Sequence, residues 1–220
     1  MRMEMNYILA CLLLTPAACS IGYDDTVVLN VPYHAQEEFN YCVPAAVQMW
    51  ADYDGASPLP SQTEIWQYVG MSPCDAYDAA DGVNHFTLSG YDAYVDLITA
   101  PSESQRDQML ARQITSIDYG VPVIAVIYPS RNHVGVLNGG TYSPVGGSWR
   151  WDTIRLHNPD PSFGPNFLYS ASDWLTEFCD VGVGSCIQII SAGASYSWAP
   201  NLSQYGDQVF VYGSVQEEYQ

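Results

Sequence analysis

The stretch that decides the reading is Val31-Pro32-Tyr33-His34-Ala35-Gln36-Glu37-Glu38-Phe39-Asn40-Tyr41-Cys42-Val43-Pro44-Ala45-Ala46-Val47-Gln48-Met49. It opens as a loop with turn-forming residues over 32–40 and becomes helical after Cys42. From there Ala46, Met49, Trp50 and Tyr53 recur on one face, and Gly55 ends the run. Pro44 suits the first turn, where its missing N–H costs nothing. Cys42 therefore stands at the start of an amphipathic helix. A thiolate there meets unpaired backbone N–H groups and the positive end of the helix dipole, and both favour the charged form. Gln36 lies six residues earlier, in the loop leading in. Its side-chain amide is a candidate donor to the oxygen of a tetrahedral intermediate, beside the Cys42 N–H. The competing reading makes Cys42 a small buried apolar residue or a disulfide partner of Cys74.

A nucleophilic thiol needs a base, and the chain has four histidines. His133 opens the apolar run Val134-Gly135-Val136-Leu137, so an imidazole at a strand start can face the helix terminus. His34 is close to Gln36 and is a candidate cleft residue. His85 reads as part of a polar loop, and His157 as facing solvent. A third group should orient the base. Asn158 is in phase with Ile154 and Leu156 at the strand period of two. Asp160 carries the charge that best stabilises an imidazolium, so both stay open as third member.

Outward from this centre, 26–31 reads as a first strand. Ser61-x-x-Glu64 is a capping box for a second helix bearing Ile65, Trp66 and Val69. Residues 92–99 read as a third helix. Ser102-x-x-Gln105 opens a fourth, with Met109, Leu110, Ile114 and Ile117 inward and Gly120 as the stop. The second half turns to strands at 121–128, 133–137, 153–157, 186–191 and 208–213, with one short helix at 173–178. The run at 121–128 barely alternates and so reads as buried on both faces. Helices first and strands later give an α+β class with an antiparallel sheet, not a doubly wound fold. No Gly-x-Gly-x-x-Gly or Walker pattern is present, which removes the nucleotide-binding readings.

The chain has 220 residues, enough for one domain with a sizeable core. Six Lys+Arg against 24 Asp+Glu give a formal charge of −18, a surface that repels phosphate backbones and excludes nucleic acid as a partner. Residues 1–19 read as a signal peptide: Arg2, an apolar run over 7–14, then Thr15-Pro16-Ala17-Ala18 before Cys19. That run is too short to span a bilayer, which takes about 20 apolar residues. Ala17-Ala18-Cys19-Ser20 resembles a lipoprotein processing site, with Cys19 lipidated, so a lipid anchor is the one membrane contact expected. Export to the cell envelope or medium permits disulfides. Cys179 and Cys186 are seven apart around Gly182 and Gly184 and are the expected pair. With no Cys-x-x-Cys and no paired His spacing, no metal is expected, and no other cofactor.

The pieces Val31-Pro32-Tyr33, Gln36, Cys42-Val43-Pro44-Ala45, Gly120-Val121-Pro122-Val123-Ile124, His133-Val134-Gly135-Val136 with Gly139, and Asn158-Pro159 come in one order. Together they resemble the papain-like cysteine peptidases, in particular the bacterial C39-like group. The resemblance covers about residues 27–180 and implies a papain-like fold, with the site between a helical part and an antiparallel sheet, and the domain is expected over 26–215. It also implies Gln36, Cys42 and His133 as oxyanion donor, nucleophile and base. Two positions depart from it: Val43 where Gly or Trp is common, and Asn158 where many C39-like members have Asp. The expected function is an exported thiol peptidase acting on peptides or proteins through a thioester, as a monomer. The alternatives are an acyl transferase using the same thiol, and a non-catalytic exported binding lipoprotein that keeps the fold.

Overall fold

The computed structural model describes residues 25–70, 74–88, 92–127, 133–145, 148–179 and 185–191. The signal-peptide reading of 1–19, the lipidation of Cys19 and the strand expected at 208–213 lie outside the described residues.

The elements run β1 (Asp25–Val28), α1 (Cys42–Tyr53), α2 (Gln62–Tyr68), α3 (Ala76–Phe86), β2 (Ala93–Thr99), α4 (Glu103–Asp118), β3 (Val123–Ile127), β4 (His133–Val145), β5 (Ser148–His157), β6 (Phe167–Ser170), α5 (Ala171–Phe178) and β7 (Ser185–Ser191). All strand pairs are antiparallel, in the order β2-β7-β3-β4-β5-β6. β1 pairs with residues 139–142 of β4, beyond the part that pairs with β3. The two backbones meet closely at Gly139 and Gly140, whose φ values are 155° and 153°. A Cβ on Gly139 would sit 2.2 Å from the Val27 carbonyl oxygen, so only glycine admits the crossing.

The core has two halves, one on each face of the sheet. Ile124, Val126, Val134, Val136 and Ile189 pack under α1, α2 and α3. Val123, Ala125, Ile127, Leu137, Ile154 and Leu156 pack under α4 and α5 with Trp174 and Phe178. The alternation along β3 sends successive residues to opposite helical layers, which is why this strand carries no polar residue. The α+β class holds, with helices on both faces of the sheet.

Two segments differ from the sequence expectation. Residues 92–99 are not a helix: β2 is a strand, and seven residue pairs join it to β7. Tyr94, Val95, Ile98 and Thr99 favour the pleated backbone, and the ladder decides a segment too short to form a stable helix by itself. The helix is instead α3, whose capping box uses Asp75 and Asp78. His85 consequently lies in α3, not in a polar loop, and stacks on Tyr68 with ring centroids 3.9 Å apart.

Candidate active site

β4 and β5 are antiparallel neighbours, with Val136 opposite His157. The first residue of β4, His133, and the residue after β5, Asn158, therefore lie at the same end of the sheet. His133 Nε2 and Asn158 Oδ1 are 2.7 Å apart. That Asn158 atom also accepts from the Asp160 backbone N–H at 2.9 Å. A backbone N–H can only donate, so the atom facing it is the amide oxygen, and His133 Nε2 must carry the proton toward it. This fixes the tautomer, with Nδ1 as the unprotonated ring nitrogen. Asp160 has another local role: its Oδ1 accepts from the Ser162 N–H at 2.9 Å in the same turn.

Cys42 starts α1 against this end of the sheet. The backbone amides of Val134, the residue after His133, and of Val43 and Cys42 itself favour its thiolate. The helix supplies the Val43 and Cys42 amides because its start is bare. The N-cap position holds Tyr41, which makes no side-chain capping bond, and the first turn carries no acidic residue. Tyr41 instead stacks on Trp66 with centroids 5.1 Å apart. The thiol is nevertheless raised above its ordinary range, because burial outweighs the three amides. The expectation that the helix start alone lowers it is corrected by this balance. An anion at Cys42 needs a charged partner as well.

Cys74 packs against the same core half as Cys42, and both thiols are free. Burial, followed by Asp78, Cys42 and Asp75, pushes the Cys74 thiol up to about 12. The expected bridge Cys179–Cys186 is formed, with the Cα atoms 4.9 Å apart. It joins the end of α5 to β7.

Gln36 is bound into its own loop. Its Nε2 donates to the carbonyls of Glu38 at 3.2 Å and Phe39 at 3.0 Å, while Oε1 is buried without a partner. Donation to a substrate oxygen requires exchanging one of those two bonds. The Gln36 backbone N–H donates to the Pro159 carbonyl at 2.9 Å, so the loop is docked on the turn that carries Asn158.

Two residues at this site escape the sequence reading. Gln62, buried in the first turn of α2, donates to the Ala35 carbonyl and to Gln48 Oε1, and accepts from the Glu37 N–H. It fastens the 35–37 backbone to α1 and α2. Its place directly after the capping serine reads as solvent-facing, and only the contact with a loop 25 residues away reveals it. His157 is the second. It does not face solvent but is 3% exposed, and its Nε2 meets the Val31 carbonyl at 2.8 Å. Its side chain takes the sheet face opposite Ile154 and Leu156, and the chain around Val31 and Tyr33 covers that face. His34 lies beside α1, with Nε2 2.7 Å from Asp52 Oδ2.

Comparison with known proteins adds to this picture. No curated protein matches the chain. Among solved structures, UfSP from C. elegans superposes with a TM-score of 0.51 at 13% identity, over 82% of this chain and 36% of that one. A double-glycine-motif protease from an AMS/PCAT transporter, solved in complex with the leader peptide, gives a TM-score of 0.47 at 14% identity, over 74% of this chain and 96% of that one. A C39-like peptidase from Bacillus anthracis gives 0.44 at 11%, over 76% and 98%. The fold is the papain-like one of mixed helices and antiparallel sheet. A family model, that of the Peptidase_C39 like family, matches residues 28–154, which is more than half of the chain and takes in α1 and the start of β4. The chain belongs to the Peptidase_C39 like family, and it is a cysteine peptidase.

Proposed function

We propose that the protein is an exported thiol peptidase in which Cys42 is the nucleophile, His133 the base and Asn158 the group that orients it. The observation that carries this reading is the 2.7 Å bond from His133 Nε2 to Asn158 Oδ1, at the sheet end where the backbone of the next residue, Val134, acts on the Cys42 thiol. With Nε2 held by Asn158, Nδ1 takes the thiol proton. The thiolate sulfur bonds to the scissile carbonyl carbon, and the electron pair moves to the oxygen. The Cys42 N–H, and the Gln36 amide once released from its loop, are the donors for that oxyanion. Collapse breaks the C–N bond, and the imidazolium gives its proton to the leaving amine. Water then attacks the thioester with His133 again as base, releasing the acid and the thiol. Burial raises the Cys42 thiol against the pull of the amides, and the imidazolium supplies the further charge that favours the anion.

We also place the protein outside the cytoplasm, as a monomer held by a lipid at Cys19. The apolar run over 7–14 before Cys19 and the Cys179–Cys186 bridge support export. The domain is taken to span 26–215, around the matched 28–154.

Iodoacetamide at pH 6 tests the thiol directly. Cys42 is expected to alkylate selectively and to lose that reactivity in His133→Ala. A Cys42 that reacts no faster than an ordinary thiol sinks the reading. Products from a peptide library, with and without added amine, then separate hydrolysis from acyl transfer.

A further inference from the structure

We propose that His157 is a positioning residue of the thiol site: as a neutral ring protonated on Nε2, it locks the chain leading into the Gln36 loop onto the strand end that carries Asn158. The proposal rests on the site reading above and goes beyond it, because His157 touches none of the reacting groups.

The protonation state follows from the partners. Nδ1 faces the backbone N–H of Asn166 at 3.1 Å, a group that can only donate, so Nδ1 must be bare. Nε2 faces the Val31 carbonyl at 2.8 Å, a group that can only accept, so Nε2 must carry hydrogen. The imidazolium would set Nδ1–H against the Asn166 N–H, and the network has no place for it. The surroundings agree. The Tyr33 ring packs edge-on to the imidazole with centroids 5.6 Å apart. Asn138 on β4 brings Nδ2 to 3.3 Å from Nε2, a donor facing a donor in this tautomer and so no hydrogen bond, and that amide donates instead to Asn166 Oδ1 at 3.1 Å. Arg155, on the same strand, donates to that oxygen at 2.8 Å and sets a positive charge beside the ring. Asp160, in the turn that follows, acts on Tyr33. Burial first, then Arg155, hold the imidazole below its ordinary range, against the Val31 carbonyl.

The consequence for the site is geometric. The turn after β5 grips the incoming chain twice, through His157 at Val31 and through the Pro159 carbonyl at Gln36. Between those two grips stands Asn158 with its bond to His133. The oxyanion loop and the orienting amide are thus held in one register by one turn. Protonation of His157 keeps the Nε2–H bond to Val31 but sets Nδ1–H against the Asn166 N–H, so that contact breaks, the ring and the chain behind it shift, and both Asn158 and the loop move relative to Cys42. Displacements of about 1 Å at such sites cost on the order of 100-fold in rate.

The test compares wild type, His157→Gln and His157→Phe in peptide hydrolysis from pH 4 to 8, with Cys42 alkylation in parallel. Glutamine keeps a donor for the Val31 carbonyl and has no proton to gain. It is expected to stay within about threefold of wild-type kcat at pH 7, with the acid limb of kcat moved to lower pH. Phenylalanine keeps the ring and loses both bonds, and kcat should fall at least about tenfold with KM little changed. An acid limb of His157→Gln that superimposes on wild type overturns the proposal, as does a fully active His157→Phe. Should His157→Phe fail to fold by its circular-dichroism melt, the glutamine profile decides. Nitrogen-detected NMR of the wild-type ring reads the tautomer without any activity: a doubly protonated ring at pH 7 overturns the proposal. A wild-type enzyme whose Cys42 is unreactive sinks the site reading instead, and the ring spectrum still decides the state of His157.

Discussion

Among the described residues, the start of α1 and the starts of the other four helices follow opposite rules. α2, α3 and α4 each carry a complete capping box, and Ser170 caps α5 through the Asp173 N–H. Each has an acid in its first turn: Glu64, Asp78, Glu103 and Asp173. α1 has neither a capping side chain nor an acid there. A cap is worth about 1 kcal/mol, and an acid in the first turn adds about 0.3–1 kcal/mol. The chain thus supplies these anions at four helix starts and withholds them at the fifth, where the amides face the Cys42 sulfur. In the proposed mechanism, local rules of stability are set aside at the helix end that would receive a transient negative charge. The bare end does not suffice, because burial still raises the thiol, and this is why the bond between His133 and Asn158 matters as much as the helix.

The largest expected effect comes from the imidazole side of that balance. Asn158→Ala removes the acceptor that holds His133 Nε2–H, and the ring is free to turn or change tautomer. kcat should fall by about 10²–10⁴-fold, and Cys42 should lose its alkylation at pH 6. Asn158→Asp keeps an acceptor and should retain much more activity than alanine. If alanine leaves kcat within a few-fold of wild type, the helix start alone activates the thiol and the imidazole is no essential partner.

A smaller effect is expected from giving α1 what the other helices have. Tyr41→Asp puts a carboxylate at the bare end. A negative charge beside the sulfur disfavours the thiolate, so the thiol rises further. A rise of one pH unit leaves about a tenth of the anion at any pH below the new value. The alkylation rate should therefore drop roughly tenfold, and its pH profile should move to higher pH by about one unit. The new cap stabilises α1 by about 1 kcal/mol, which the lost stacking of Tyr41 on Trp66 largely offsets. An unchanged profile in this variant means that the α1 amides do not act on Cys42.

How far the sequence could be read tracks how local each feature is. The helix after Cys42, the capping boxes at Ser61 and Ser102 and the apolar run of β3 are written within a few residues, and all three are where the sequence puts them. β2 is not local: a seven-residue apolar segment is ambiguous until β7, some 90 residues later, pairs with it. α3 hides for another reason, since its box uses Asp at both ends rather than Ser or Thr with Glu or Gln. At the site, Cys42, Gln36, His133 and Asn158 are visible as residue types in an order. Which acceptor holds His133 depended on how the 157–164 turn folds back, and the bond from the Asp160 N–H to Asn158 Oδ1 decides the amide's orientation. His157 looked exposed because its cover is Val31, 126 residues away in sequence.

The smallest effect belongs to the capped helices, and it is the control for the comparison. Ser102→Ala deletes the hydroxyl that accepts from the Gln105 N–H and donates to Gln105 Oε1, while the bond from the residue 102 backbone N–H to Gln105 Oε1 stays. α4 packs on the sheet face opposite α1, so the loss has no direct path to Cys42. The expected cost is about 1 kcal/mol of stability, or roughly 2–4 °C in Tm for a chain of this size. kcat and the Cys42 alkylation profile should not move. A melt and an alkylation curve on the same sample check both halves. Were Ser102→Ala to shift the alkylation profile as far as Tyr41→Asp, the special status of the α1 start would dissolve into general softening of the fold. Were it to lower Tm and nothing else, helix starts in this protein would divide into four that hold the chain together and one kept open for the chemistry at Cys42.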